Sequence, residues 1–160
     1  AGVDIQHIAD NDWDMLVDVN MRGVFNCCRA VSKVMIEQHY GRIVNLSSVL
    51  GIVPMRKEIA SVTADAGLQN LTKALSLELG GYDICVNGVA VGSISADGRA
   101  VKNQNLSMRQ MLSHVPLSRY GTFEDVANAV LFLCGRENGY ITGHILTVDG
   151  GWTCGYHRDF

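Results

Sequence analysis

The sequence predicts an α/β fold in which helices alternate with the strands of a parallel sheet. Two observations carry that prediction. Segments with apolar residues at helical spacing alternate with short, nearly continuous apolar and β-branched runs, the pattern of strands covered on both faces. The order helix, strand, helix, strand, helix, strand suits the crossover connections that parallel strands require. With 160 residues, 48% of them apolar and only two prolines, residues 1–160 fit a single domain with enough material for a core.

The first helix is expected from Asn11 to about His39, where Trp13, Leu16, Val17, Val24, Phe25, Cys28, Val31 and Met35 recur at helical spacing. Gly41 stops it. Gly41 to Ser48, with Ile43, Val44 and Leu46, reads as a buried strand, and a loop with Gly51 and Pro54 follows. Ser61 to Leu79 repeats helical spacing through Ala64, Leu68, Leu71 and Leu75 and ends at Gly80-Gly81. Ile84 to Val91 is the second strand, and the polar stretch from Gly92 to about Asn105 reads as a mobile loop. Thr122 and Asp125 form an acidic capping pattern for a helix carrying Val126, Val130, Leu131 and Leu133, which stops at Gly135. His144 to Val148 is the last strand, and Asp149-Gly150-Gly151 is a turn.

A net charge of −3 with scattered Lys and Arg excludes an electrostatic nucleic-acid partner. No apolar run reaches the roughly 20 residues needed to span a bilayer, so a cytoplasmic protein with no membrane partner is expected. The five cysteines, Cys27, Cys28, Cys85, Cys134 and Cys154, contain no CxxC pair and read as mostly buried, reduced thiols. His7, His39, His114, His144 and His157 stand singly, so no metal site is expected.

The segments Val19 to Phe25, Gly41 to Ser48 and Thr147 to Trp152 together resemble the short-chain dehydrogenase/reductase family, as do Leu71 to Leu79, Val86 to Ala90 and Glu124 to Ala127. The resemblance runs nearly end to end. It implies a Rossmann-like, doubly wound sheet that binds NAD(P), with a catalytic Ser, an active-site Asn and a Tyr-x-x-x-Lys pair. Asn20 and Ser48 match the Asn and the Ser. The Tyr position, thirteen residues after Ser48, is Ser61, and the Lys position is Asp65. The family's Pro-Gly after the sixth strand reads Val91-Gly92, and a Thr position reads Ala96. The chain opens at the Ala-Gly of the family's Asn-Ala-Gly motif, so the N-terminal strands and the dinucleotide loop are expected to lie upstream of it, and no GxGxxG is present.

In the resembling enzymes a nearby ammonium lowers the phenol pKa from about 10 so that a phenolate forms near neutrality. Two unit charges ~4 Å apart at an effective dielectric near 20 interact by roughly 4 kcal/mol, so exchanging Lys for Asp turns stabilisation of an oxyanion into repulsion. A serine hydroxyl is also less acidic and shorter than a phenol. Lys57 and Lys73 sit off the required register, and Ser61 with Asp65 reads as a surface pair one helical turn apart. No functional catalytic group is therefore expected at Asn20, Ser48, Ser61 or Asp65, and no cofactor is expected to be bound by this chain.

Two functions follow. One is a non-catalytic subunit that binds and stabilises an active NAD(P)-dependent short-chain dehydrogenase, as a hetero- or homo-oligomer, through helices 11–39 and 61–79 and the C-terminal strand. The resemblance supplies a precedent in subunits paired with hydroxyacyl-CoA dehydrogenases. The other is an NAD(P)-dependent alcohol dehydrogenase or ketoreductase whose cofactor-binding half precedes this sequence. A ligand-binding regulatory module at Gly92 to Pro116 has no motif behind it.

Overall fold

The computed structural model describes residues 2–96 and 112–155. The chain forms α1 (Asp10–Val17), a π-helical segment (Asp18–Gly23), α2 (Val24–Gln38), β1 (Gly41–Ser48), α3 (Ile59–Leu79), β2 (Ile84–Val91), α4 (Phe123–Cys134) and β3 (Ile145–Val148). The strands form one parallel sheet in the order β1-β2-β3. This is the expected α/β architecture, and β1 and β2 occupy the expected ranges.

Register decides what the sheet presents. Ser48 pairs with Val91, and Val91 pairs with Val148, so all three strands finish in one row. The row places Ser48, Gly92 and Asp149 at the carboxyl edge of the sheet, where open α/β sheets bind their ligands.

The core lies between β1, β2 and the helices α2 and α3. Cys28, Ile43, Leu79, Ile84 and Val86 form its centre, with Val24, Met35, Ile36 and Leu75 around them. β2 is the most enclosed strand because it has a neighbour on each side, and Val86, Val89 and Ala90 are wholly buried. The side chain of Arg42 alternates away from Ile43 and stacks on Tyr40, with Arg136 from beyond α4 on the same ring, which puts α4 on the opposite side of the sheet. The Arg42 Nε, buried and without a hydrogen-bond partner among the described residues, belongs to that stack.

Several expectations need correction. The first helix is interrupted: residues 18–23, which include Asn20, are π-helical. Beside this segment Met21 lies over Gly67 of α3, where a Cβ would stand 2.9 Å from the Met21 Sδ. The helix stops at His39, which adopts a left-handed φ of 49° while Tyr40 N–H reaches back to the Met35 carbonyl, before Gly41 is reached. Gly41 instead admits Met35, whose Sδ would lie 2.5 Å from a Cβ. α3 starts at Ile59, two residues early, and passes through a 3-10 turn at Gly80–Tyr82 before Asp83 takes the left-handed conformation.

The stretch after β2 is tied down at its start, since Ser95 N–H donates to the Gly121 carbonyl at 2.9 Å and Gly121 N–H to the Ser93 carbonyl at 3.0 Å. Its remainder, residues 97–111, lies outside the described residues, as does most of the Gly92 to Pro116 region. Of the cysteines only Cys28 and Cys85 are buried; Cys27, Cys134 and Cys154 are exposed, and all five are free thiols. Among the described residues no helix is long and apolar enough to cross a membrane.

The capping expectation holds. Thr122 Oγ1 accepts from Asp125 N–H, and the Asp125 carboxylate accepts from Thr122 N–H, giving a full capping box at the start of α4. Arg119 closes on Asp125 at 2.7 Å and, with the Thr122 N–H, holds its carboxyl at about 2. Next to it, Tyr120 is buried with its hydroxyl unpartnered among the described residues. An unsatisfied buried hydroxyl costs roughly 1–3 kcal/mol. Tyr120→Phe is therefore expected to keep or raise the Tm in a thermal melt; a clear fall would show that the hydroxyl has a partner.

Candidate functional site at the strand ends

Beyond the row of strand ends lies a cavity of about 140 Å³, walled by Ser48, Met55, Gly92, Ser93, Arg119 and Trp152 among others. Each wall follows from local chemistry. Ser48 ends β1 and caps the 3-10 turn Val49–Gly51, its Oγ accepting from Leu50 N–H at 3.1 Å. Gly92 lies against Asp149, whose Cα would be 2.7 Å from a Cβ at residue 92, so the glycine lets the ends of β2 and β3 meet. Trp152 follows the Asp149-Gly150-Gly151 turn, in which both glycines have positive φ, 66° and 90°. The Asp149 carboxylate is used up by Gly151 N–H, Thr153 N–H and Thr153 Oγ1, all at 2.8 Å. That segment is a turn, as expected.

The structure separates the four candidate positions. Ser61 Oγ lies 3.4 Å from Glu58 Oε2 and, with Lys57, Glu58 and Asp12, lines a different cleft of about 430 Å³. Ser61 and Asp65 do not form the expected surface pair. The Asp65 carboxylate turns to the sheet and accepts from Ser48 N–H at 2.9 Å. Gln69, one turn on, donates to the Ser48 carbonyl at 3.0 Å and to Ser47 Oγ at 3.1 Å. Asn20 is half-buried in the π-helical segment, a feature that often marks functional positions in helices. Lys57 pairs with Asp4 at 3.9 Å, and Lys73 lines a third cleft with Gln69 and His144; neither lines the Ser48 cavity.

A polar thread continues inward from this clasp. Asn45 donates to Thr72 Oγ1 at 3.0 Å and accepts from the Cys28 thiol at 3.5 Å, while Thr72 donates to the Leu68 carbonyl. Burial raises the Cys28 pKa, which keeps this thiol protonated and able to donate. Sequence reading missed Gln69, Glu58 and Thr72. The signal for the first was present: Gln69 stands four residues after Asp65, on the same helix face, among apolar neighbours.

Comparison with known proteins decides the family. A family model described as Enoyl-(Acyl carrier protein) reductase matches residues 2–153. The chain belongs to the short-chain dehydrogenase/reductase family. The 3-oxoacyl-[acyl-carrier-protein] reductase of Staphylococcus aureus is 39% identical over 147 residues, covering 92% of this chain and 59% of the relative. That of Aquifex aeolicus is 40% identical over 140 residues, covering 88% and 56%. Among solved structures, a gluconate 5-dehydrogenase from Burkholderia cenocepacia in complex with NADP and tartrate superposes with a TM-score of 0.90 at 27% identity, covering 97% of this chain and 61% of that one. Acetoin dehydrogenase from Enterobacter cloacae gives 0.84 at 31%, covering 96% and 60%. The chain thus spans somewhat under two thirds of the length of these short-chain dehydrogenases/reductases.

Two glycines near the strand ends are closely covered: a Cβ at Gly92 would lie 2.7 Å from Asp149 Cα, and one at Gly51 2.7 Å from Gln69 Nε2. Where the family motif has a Lys, burial pushes the Asp65 carboxyl above its ordinary 3.8, opposed by the Ser48 N–H. Relative to the unfolded chain, the fold therefore disfavours ionisation of Asp65. Below 3.8 the group is neutral in folded and unfolded chains alike; as pH rises through the raised folded value, its ionisation lowers stability. Asp65→Asn is expected to melt higher than wild type at pH 7, with the gap closing as the pH of the melt falls towards 4; a constant gap would contradict this origin.

Proposed function

We propose that this chain is the C-terminal, substrate-facing part of an NAD(P)-dependent short-chain alcohol dehydrogenase or ketoreductase, whose cofactor-binding half precedes this sequence. The observation that carries the reading is the end-to-end family match together with Ser48 at the sheet's carboxyl edge, beside an open cavity. The substrate class is a ketone or secondary alcohol. The similar proteins are named for a 3-oxoacyl group on a carrier protein, for gluconate and for acetoin, all of which contain such a centre.

In this reading the chain's own residues shape the substrate end and supply the Ser48 hydroxyl. Proton transfer is its weak step, because Ser61 faces another cleft and Asp65 carries the wrong charge to stabilise an oxyanion. The test is NAD(P)H turnover by the longer protein, with a 3-oxoacyl thioester, gluconate and acetoin as substrates. Slow but measurable turnover on one of them supports the reading. A folded protein that turns over none of them refutes it.

A second reading rests on the same two residues. With Ser61 and Asp65 in place, the chain suits a non-catalytic, cytoplasmic subunit that stabilises an active short-chain dehydrogenase, one acting on a hydroxyacyl-CoA for instance, with NAD(P) held by the partner. Co-purification with a coexpressed active homologue, and a rise in that homologue's thermal stability, would favour it.

A further inference from the structure

We propose that Asp65 is a positioning residue whose carboxylate seats Ser48 and the turn after it, and so sets the shape of the cavity at the strand ends. The assignment rests on reading Ser48 as the site's hydroxyl, although its test needs only residues 48 and 65.

Asp65 Oδ1 accepts from Ser48 N–H at 2.9 Å, at the last residue of β1, where the chain turns into Val49–Gly51. That turn lies directly on the α3 backbone: a Cβ on Gly51 would stand 2.8 Å from both the Asp65 carbonyl carbon and the Ala66 nitrogen. Gln69 takes the Ser48 carbonyl and the Ser47 hydroxyl. Both peptide groups flanking the Ser48 Cα are thus held by one helix face, the N–H by residue 65 and the carbonyl by residue 69. Ser48 Oγ then accepts from Leu50 N–H and closes the turn, and Ser48, Val49 and Leu50 line the cavity that Trp152 also lines.

An ammonium at residue 65 cannot fill this role, because it has no lone pair for an N–H. The substitution at this position therefore adds a contact as well as removing a charge. It follows that Asp65→Lys alone loosens Ser48.

The experiment is amide hydrogen exchange by NMR on the 160-residue chain, comparing wild type with Asp65→Ala and Asp65→Asn. The Ser48 amide is expected to exchange at least about tenfold faster in Asp65→Ala, as loss of one hydrogen bond of about 1.4 kcal/mol implies, and to be slow again in Asp65→Asn, which keeps an acceptor oxygen. The amides of Val86 and Val89 in the middle of β2 serve as the control for global stability and are expected to keep their relative order. In a Trp13→Phe background, Trp152 fluorescence should shift in the Ala variant and return in the Asn variant. An unchanged Ser48 amide in Asp65→Ala overturns the proposal, and so does an Asn variant that behaves like the Ala variant. If Asp65→Ala does not fold, the Ser48 amide of Asp65→Asn decides: protection equal to wild type supports the seat, and lost protection in a folded Asn variant refutes it.

Discussion

Installing a phenol and an ammonium together, Ser61→Tyr with Asp65→Lys, is expected to raise kcat/KM for carbonyl reduction by the longer protein by about two orders of magnitude. General acid–base catalysis by a positioned group contributes typically 10²–10⁴-fold, and both elements of that group are missing here. The lower end applies because lysine at 65 gives up the Ser48 N–H acceptor while Gln69 still holds the other side of the peptide. The two single variants separate the terms. Ser61→Tyr alone places a phenol near a carboxylate, which opposes phenolate formation, and Asp65→Lys alone unseats Ser48 without supplying a proton donor. Neither is expected to gain more than a few-fold. The measurement is steady-state NAD(P)H oxidation. If the double variant turns over no faster than wild type while folded, residues 61 and 65 do not limit turnover.

Asn87→Leu is expected to be the most damaging single change to the fold. Asn87 is 1% exposed in the central strand, and its amide donates to the Ile141 carbonyl at 2.8 Å while its carbonyl accepts from His144 N–H at 3.0 Å. The same stretch is pinned by Thr142 Oγ1, which accepts from Val86 N–H, and by Gly143 and His144, which bond to the backbone of β2. Leucine leaves two backbone groups without partners, at roughly 1–3 kcal/mol each, so a loss of about 2–6 kcal/mol is expected. For a chain of this size that lowers Tm by roughly 4–24 °C. Urea denaturation checks it, and a midpoint equal to wild type would show that the 141–144 segment holds to the sheet without Asn87.

The elements were legible in the sequence wherever a single period governs a segment. β2 is nearly all apolar, β1 carries Ile43, Val44 and Leu46 between its end glycine and serines, and both begin and end as expected; the Thr122–Asp125 box fixes the start of α4 because both partners lie in one helical turn. The π-helical segment at Asp18–Gly23 was not legible, since one extra residue per turn leaves the apolar spacing of the flanking helices almost unchanged. At the site, the residue types at 48, 61 and 65 could be read, but not their directions. Periodicity puts Ser61 and Asp65 one turn apart; only tertiary packing sends Asp65 to Ser48 and Ser61 to Glu58. Burial of Gln69 and Thr72 is likewise a property of the helix–sheet contact, because each sits in an apolar stripe as a polar exception.

The account turns on whether a dinucleotide-binding half belongs with this site. NADPH fluorescence titration of the longer protein, run beside the 160-residue chain alone, tests it directly. Saturable binding by the longer protein and none by the isolated chain is the expected result. A folded longer protein that leaves NADPH and NADH fluorescence unchanged, with no binding of either by calorimetry, would contradict it.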